Sequence, residues 1–302
     1  MNYILINFIG LLIMTKLKII NIGPIEWFSP HFAYNDSDFD VYNYDPLKME
    51  QSLITFCKEI SPDILYIFRG DLVREQLPKL RHIFQLEFST EIYPTDILSV
   101  KKSQAISVAK FMHCLKSINP FSNIYHYDIS RKQLFDALDV PMKYNILPIN
   151  IKAYKKNIDK DIDILFFGRA SDRRRSIFDK LKEAGLKFVW IENGLDWEEL
   201  SSMISRSKVV LNITAENIDN FEPRILLALS GGACVITELS IGLDYFLKSN
   251  PQYKNKVRTV NPDSESILNG YFYFLLNEFY YADNIDNEML SSNKFILEQF
   301  IK

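Results

Sequence analysis

The chain has 302 residues, a formal net charge of -3, 47% hydrophobic residues and 14% aromatic ones. That length suits two domains with folded cores, and the near-neutral charge gives no electrostatic case for a nucleic-acid partner. Cys57, Cys114 and Cys234 are odd in number and far apart, which argues against a disulfide framework or a metal cluster and fits a reducing cytoplasm.

Residues 3–14, YILINFIGLLIM, are almost wholly apolar. The run is too short to cross a bilayer as a helix. A signal peptide wants positive charge before such a run and small residues after it, whereas Lys16 and Lys18 follow it. An extra packed segment and a start at Met14 are the two leading expectations, with a peripheral membrane contact as the alternative. Leu17 to Ile22 then reads as the first strand, ended by Gly23 and Pro24. His31 lies just beyond. DSDFD near Asp36 precedes a strand over Phe39 to Tyr44 and is expected to be a polar turn. Met49, Leu53, Phe56 and Ile60 share one face of a helix expected over Leu47 to Ile60, stopped by Ser61-Pro62. Strands follow at Ile64 to Phe68, with Arg69-Gly70-Asp71 as a turn, and at Ile83 to Phe88. Ser89, Glu91 and Tyr93 come just after. A helix over Ser99 to Ile118, a strand over Asn123 to Tyr127, a short helix around Leu134 and a last strand over Asn145 to Ile149 complete the half. The lysine-rich stretch from Pro148 to Lys160 reads as a hinge, so residues 15–150 and 151–302 are expected to form two domains.

The second half is more regular. Ile162 to Phe167 is a β-branched and aromatic run that suits a buried parallel strand. Gly168 ends it, and Ser171 or Asp172 can cap the next helix, which Gly185 closes. Leu186 to Ile191, Val209 to Ile213 and Ala233 to Thr237 are further strands. Asp196 and Glu199 have capping-box spacing, and Pro223 suits the first turn of a helix that runs to Gly231 and Gly232. Lys256 to Val260 is a small strand, Asp263 or Ser264 caps a helix through Leu276, and the aromatic run YFYFLLNEFYY is expected to pack as core. Strands alternating with helices make the fold class α/β, with two Rossmann-like doubly wound units.

A glycine turn that opens a helix offers unpaired N–H groups to an anion. Arg169, Arg173, Arg174 and Arg175 crowd that turn, and a guanidinium grips phosphate through two parallel donors. Ion pairing of one arginine with Asp172 or Asp179, the rest solvated, is the plainer account. Glu222 and Arg224 mark a second such turn.

The segments FFGRASDRRRSIFDKL, SKVVLN and FEPRILLALSGGACVITE resemble the C-terminal half of GT-B glycosyltransferases, in particular bacterial group 1 enzymes and their spore-maturation-protein-like relatives. The likeness covers about 80 residues well and the N-terminal half in outline. It implies two domains facing a cleft, with the acceptor on residues 15–150 and a nucleotide-diphosphate sugar on residues 151–302, the final helix crossing back to the first domain. The nucleotide sugar would be a co-substrate, with no cofactor and no metal. The resemblance places Gly168 against the donor diphosphate, Arg174 as the arginine of the phosphate element with Arg173 and Arg175 as its register alternatives, Asn212 at a strand end, and Glu222 and Arg224 beside donor sugar and phosphates; Arg169, at the same turn, is expected to bind the donor too. Gly23 falls on the acceptor side. Glu91 and His31 are the candidates for a catalytic base, and a glycan or lipid-linked molecule is the expected acceptor. One departure stands out: Leu227 occupies the position of a glutamate that the resembled enzymes place in this helix. A non-catalytic nucleotide- or glycan-binding protein of the same fold is the alternative function.

Overall fold

The computed structural model describes residues 16–89, 119–137, 139–155, 158–192, 194–215, 219–278 and 287–301. Glu91 and the helix expected over Ser99 to Ile118 lie outside these residues. The described strands form two parallel sheets. The first comprises β1 (Leu17–Ile22), β2 (Phe39–Tyr44), β3 (Ile64–Ile67), β4 (Phe84–Ser89), β5 (Asn123–His126) and β6 (Lys143–Tyr144), in the order β2-β1-β3-β4-β5-β6. The second comprises β7 (Ile162–Phe167), β8 (Phe188–Ile191), β9 (Ser207–Asn212), β10 (Cys234–Thr237) and β11 (Val257–Thr259), in the order β11-β10-β9-β7-β8. Every neighbouring pair is parallel. Each half is a doubly wound α/β unit.

Strand composition explains the layering. A parallel sheet covered on both faces needs apolar residues at both phases of the pleat. In β1, Ile19 joins one apolar cluster while Ile20 and Ile22 join the cluster on the opposite face. In β7, Leu165 and Phe166 divide in the same way. The cluster holding Ile19 and Leu165 is continuous from one sheet to the other.

Strand order fixes where a ligand can sit. The winding direction reverses between β1 and β3 in the first sheet and between β7 and β9 in the second. Crossover chains diverge at those points and leave a crevice beyond the carboxyl ends. Gly23 follows β1, Gly168 follows β7 and Asn212 ends β9, so all three lie at the reversal points.

Several helix starts follow from their caps. Ser171 accepts the Arg174 N–H (3.3 Å) and opens α4 (Asp172–Lys182; α1 to α3 span Ile25–Phe28, Leu53–Ile60 and Lys132–Ala137). Asp196 and Glu199 form the reciprocal capping box of α5 (Trp197–Ser205) at 2.8 and 3.2 Å. Pro223 opens α6 (Pro223–Ser230), and Asp263 rather than Ser264 caps α8 (Ser264–Leu276), after α7 (Ile241–Ser249).

Three expectations are corrected. The helix expected from Leu47 begins only at Leu53, because Asp45 Oδ1 takes the Leu47 N–H into a turn (2.9 Å) and Ser52 supplies the cap for α2. Asn145 to Ile149 is not a strand: β6 is Lys143–Tyr144. Pro148 has no N–H to give a ladder, and Ile149 instead bridges Ser291, accepting from Ser292 at 2.9 Å and donating to Leu290 at 2.7 Å. The aromatic run near Leu276 is only half core, since Tyr271 and Phe274 are buried whereas Phe272 and Leu276 are exposed.

The last helix, α9 (Ser292–Ile301), lies against the first sheet. Phe295 meets Phe88 and Tyr125 edge-on at centroid distances of 5.8 and 5.2 Å, and Phe300 meets Phe84 at 5.6 Å. Phe295→Ala is expected to cost about 3 kcal/mol through lost burial and the cavity left behind. Denaturant melts, with exposed Phe272→Ala as the control, check this; equal melts would show that α9 adds no stability.

Candidate functional site

At the carboxyl end of β7 the chain turns through Gly168 (φ +141°). Its N–H donates to the Ile191 carbonyl (2.8 Å), and its own carbonyl accepts from Trp190 Nε1 (3.1 Å). A side chain here would place its Cβ 2.9 Å from Arg224 Nη2. Glycine thus lets the Arg224 guanidinium close on the strand end.

Two of the expected arginines converge on this turn. Arg174, in the first turn of α4, is 3% exposed. It donates from Nε (2.9 Å) and Nη2 (2.7 Å) to the Ile213 carbonyl and from Nη1 (2.8 Å) to the Arg169 carbonyl. Arg224, in the first turn of α6, is 9% exposed. It donates from Nε to the Phe167 carbonyl (2.8 Å) and from Nη1 to Asn212 Oδ1. Both guanidiniums lie over the Phe166 ring, at 4.8 and 4.7 Å from its centroid. A guanidinium carries five N–H donors, so each keeps donors beyond those spent on the protein.

The electrostatics favour an anion. Burial pushes Arg174 down to about 10, the Arg224 charge pushes it further the same way, and Glu222 opposes them. Burial likewise lowers Arg224, again opposed by Glu222. Two buried cations therefore have one carboxylate close to both. Glu222 stands at the N-cap of α6, makes no cap bond with its side chain, and accepts from Asn220 Nδ2 at 3.0 Å. Arg169 is exposed at the mouth of the turn.

The row of arginines divides its labour. Arg173 does not join Arg174. It pairs with Glu238, at the end of β10, through both terminal nitrogens, and donates to the Thr214 carbonyl (2.8 Å) and hydroxyl (3.0 Å). Arg175 stays exposed, 4.0 Å from Asp172. Burial pushes the Glu238 carboxyl up, but Arg173 and the Thr214 N–H and hydroxyl outweigh it and hold it below the usual range. Asn212, Thr214, Asp219, Asn220, Glu238, Leu239 and Ser240 line a polar cavity of about 160 Å³. The sequence reading missed Glu238 and Thr214. The available signal was a carboxylate directly after the apolar run of β10, on the same edge as the arginines.

The candidates of the first half lie elsewhere. Gly23 packs against Phe68 at the reversal point of the first sheet. His31 is 4% exposed, with Nδ1 2.9 Å from the Pro148 carbonyl. A carbonyl only accepts, so Nδ1 carries the proton and Nε2 keeps the lone pair. Burial lowers the ring to about 4 despite that bond. Asp36 Oδ1 accepts the N–H groups of Asp38 (2.9 Å) and Phe39 (3.1 Å), which makes DSDFD a turn. Arg69 and Asp71 are paired within their own turn at 2.8 and 2.9 Å. Among the described residues no helix is long and apolar enough to cross a membrane.

The His31 environment carries a sign. The unfolded chain takes up a proton near the ordinary histidine value while the folded protein resists until about pH 4. Stability should therefore fall as pH drops from about 6.5 to 4, by on the order of 3 kcal/mol from this residue. His31→Asn, whose amide can keep the Pro148 bond, should flatten that slope in urea melts at stepped pH; an unchanged slope would place the proton elsewhere.

No family model matches the chain. Two curated relatives match part of it. Uncharacterized protein L140 of Acanthamoeba polyphaga mimivirus is 27% identical over 164 residues, 53% of this chain and 48% of that protein. Uncharacterized protein L138 of the same virus is 26% identical over 136 residues, 44% of this chain and 15% of that protein. The match thus spans about half the length of the first and less of the second. Solved structures resemble the chain over nearly its whole length. Sucrose-phosphate synthase from Thermosynechococcus elongatus has a TM-score of 0.55 at 11% identity, covering 94% of this chain and 97% of that one. Anabaena Alr3699/HepE in complex with UDP-glucose has a TM-score of 0.53 at 12% identity, covering 94% and 98%. UDP-GlcNAc 2-epimerase from Neisseria meningitidis bound to UDP-GlcNAc has a TM-score of 0.52 at 10% identity, covering 94% and 100%. At such identities the likeness is one of fold: two Rossmann-like units in the GT-B arrangement.

Proposed function

We propose that the chain is a glycosyltransferase that takes a nucleotide-diphosphate sugar on its second half and an acceptor glycan or lipid-linked molecule on its first. One observation carries the reading. Arg174 and Arg224 are buried together at the reversal point of the second sheet, with Glu222 as the carboxylate close to both and donors to spare. Burying like charges is costly, and an anion seated between them relieves that cost. A diphosphate has the charge and the oxygen geometry to accept from both forks. The same fold holds UDP-glucose in HepE and UDP-GlcNAc in the Neisseria epimerase, which supports a nucleotide sugar as the anion.

Chemistry would then be mainly charge stabilisation. As the bond from sugar to diphosphate breaks, negative charge grows on the leaving oxygen. The two guanidiniums and the N–H groups at the start of α4 meet it without reorganising. Glu222 and the polar cavity beside it suit the hydroxyls of the sugar. An inverting reaction needs a base from the first half. His31 would be neutral at pH 7 and could take a proton on Nε2, though with a low affinity for it.

A non-catalytic binder of the same fold is the second reading. Leu227, where the resembled enzymes carry a glutamate, is 5% exposed and packed into apolar core, so it offers a ribose nothing to bond.

Calorimetry and thermal melts against UDP, GDP, ADP, CDP and their sugars test both. One diphosphate should bind at micromolar strength and stabilise by about 2.7 kcal/mol at a hundredfold excess over Kd. Arg174→Ala and Arg224→Lys should each lose most of it, with melts confirming that the ligand-free variants fold. Donor hydrolysis would select the enzyme, and binding without turnover the second reading. If no nucleotide shifts the wild type, the arginine turn is structural.

A further inference from the structure

Asp128 lies just beyond β5, on the first half, and is 1% exposed. Its Oδ1 accepts the N–H of Ser130 (3.0 Å), a turn within its own loop. Its Oδ2 reaches across to accept the N–H of Phe221 (3.2 Å), on the second half. Arg131, 4% exposed, sits 3.8 Å from the same carboxylate and donates to the Asp219 carbonyl (3.3 Å). Asp219 in turn accepts the Ile241 N–H at Oδ1 (3.1 Å), fixing the start of α7. Gly242 leaves room for this approach: a Cβ there would lie 2.6 Å from Asp128 Oδ1 and 2.6 Å from the Phe221 Cβ. The Tyr127 ring faces Phe221 at 6.5 Å, and burial, then the Glu222 and Asp128 charges, push its hydroxyl well above the usual range.

The segment so held, residues 219–222, contributes to the candidate site. Asp219 and Asn220 line the polar cavity, Glu222 is the carboxylate whose charge acts on both guanidiniums, and Arg224 follows two residues on. We propose that Asp128 is a positioning residue for the donor site: the first half fastens the 219–222 turn through the Phe221 N–H, so that the site is complete only when the two halves are together. Ligand affinity and closure are then linked, and what loosens one weakens the other. This rests on the donor-site reading of the Arg174–Arg224 turn.

Two variants reach the contact from opposite sides. In Asp128→Asn the oxygen can keep the Ser130 turn while the amide nitrogen faces the Phe221 N–H, donor against donor. In Gly242→Ala the carboxylate stays, but the new methyl occupies its place. Calorimetry on the full chain with UDP and inorganic pyrophosphate, and hydrogen exchange on the ligand-free protein, give two separate readouts. Each variant should bind about tenfold more weakly, with faster exchange at Phe221 and unchanged exchange in β7 and β9. A merely structural loss would raise exchange in those strands as well. Wild-type affinity in both variants would overturn the proposal. If the wild type binds neither probe, the donor reading fails, and exchange alone decides: an unchanged Phe221 amide sinks the fastening role, and a faster one confined to the 219–222 turn keeps it.

Discussion

A parallel strand cannot be joined to its neighbour by a tight turn; the chain must cross the face of the sheet and start again at the same end. Everything at this protein's candidate site follows from that constraint. The carboxyl ends of β7, β9 and β10 are forced onto one edge, and the reversal between β7 and β9 parts the crossovers there. Gly168, Asn212 and Glu238 come from distant stretches of sequence yet sit side by side because each ends a strand. The helices α4 and α6 point their N-termini at the same edge and bring Arg174 and Arg224 in their first turns.

That edge is paid for in desolvation. Arg174 and Arg224 are nearly inaccessible, and neither has a bidentate carboxylate. Backbone carbonyls of Ile213, Arg169 and Phe167 and the Asn212 amide take some of their donors instead. Carbonyls orient a guanidinium without neutralising it. Arg173, two residues from the Ser171 cap, shows the contrast: it meets Glu238 fork to fork, and its charge is spent. One arginine builds the wall of the cavity, and two hold charge in reserve.

The strands of both halves were legible because burial on two faces demands β-branched and aromatic residues at both phases, as in Ile19 and Ile20. Caps were legible where the bond is local, as at Asp196 and Glu199. Boundaries that depend on distant partners were not. Asn145 to Ile149 has the composition of a strand, but Pro148 has no N–H to give and the Ile149 N–H goes to the Leu290 carbonyl, more than 140 residues on. Gly168, Arg174, Glu222 and Arg224 could be named because they cluster around two local turns, and Asn212 through the resemblance of its strand end, although the bonds that aim their side chains are tertiary. Asp128 gave no local signal. It sits in an ordinary turn, and its reach to Phe221 spans 93 residues.

The return of α9 to the first sheet has a mechanical side. The chain passes from the first half to the second near residues 150–160 and comes back before Ser292, where Ile149 and Ser291 are bridged. Both passages therefore meet at one place, like the two leaves of a hinge sharing a pin. Twisting or sliding of one half across the other would strain one passage or tear the bridge. Away from that place the halves are held by the shared apolar cluster and by the Asp128–Phe221 bond, so the two passages and these contacts restrain one another.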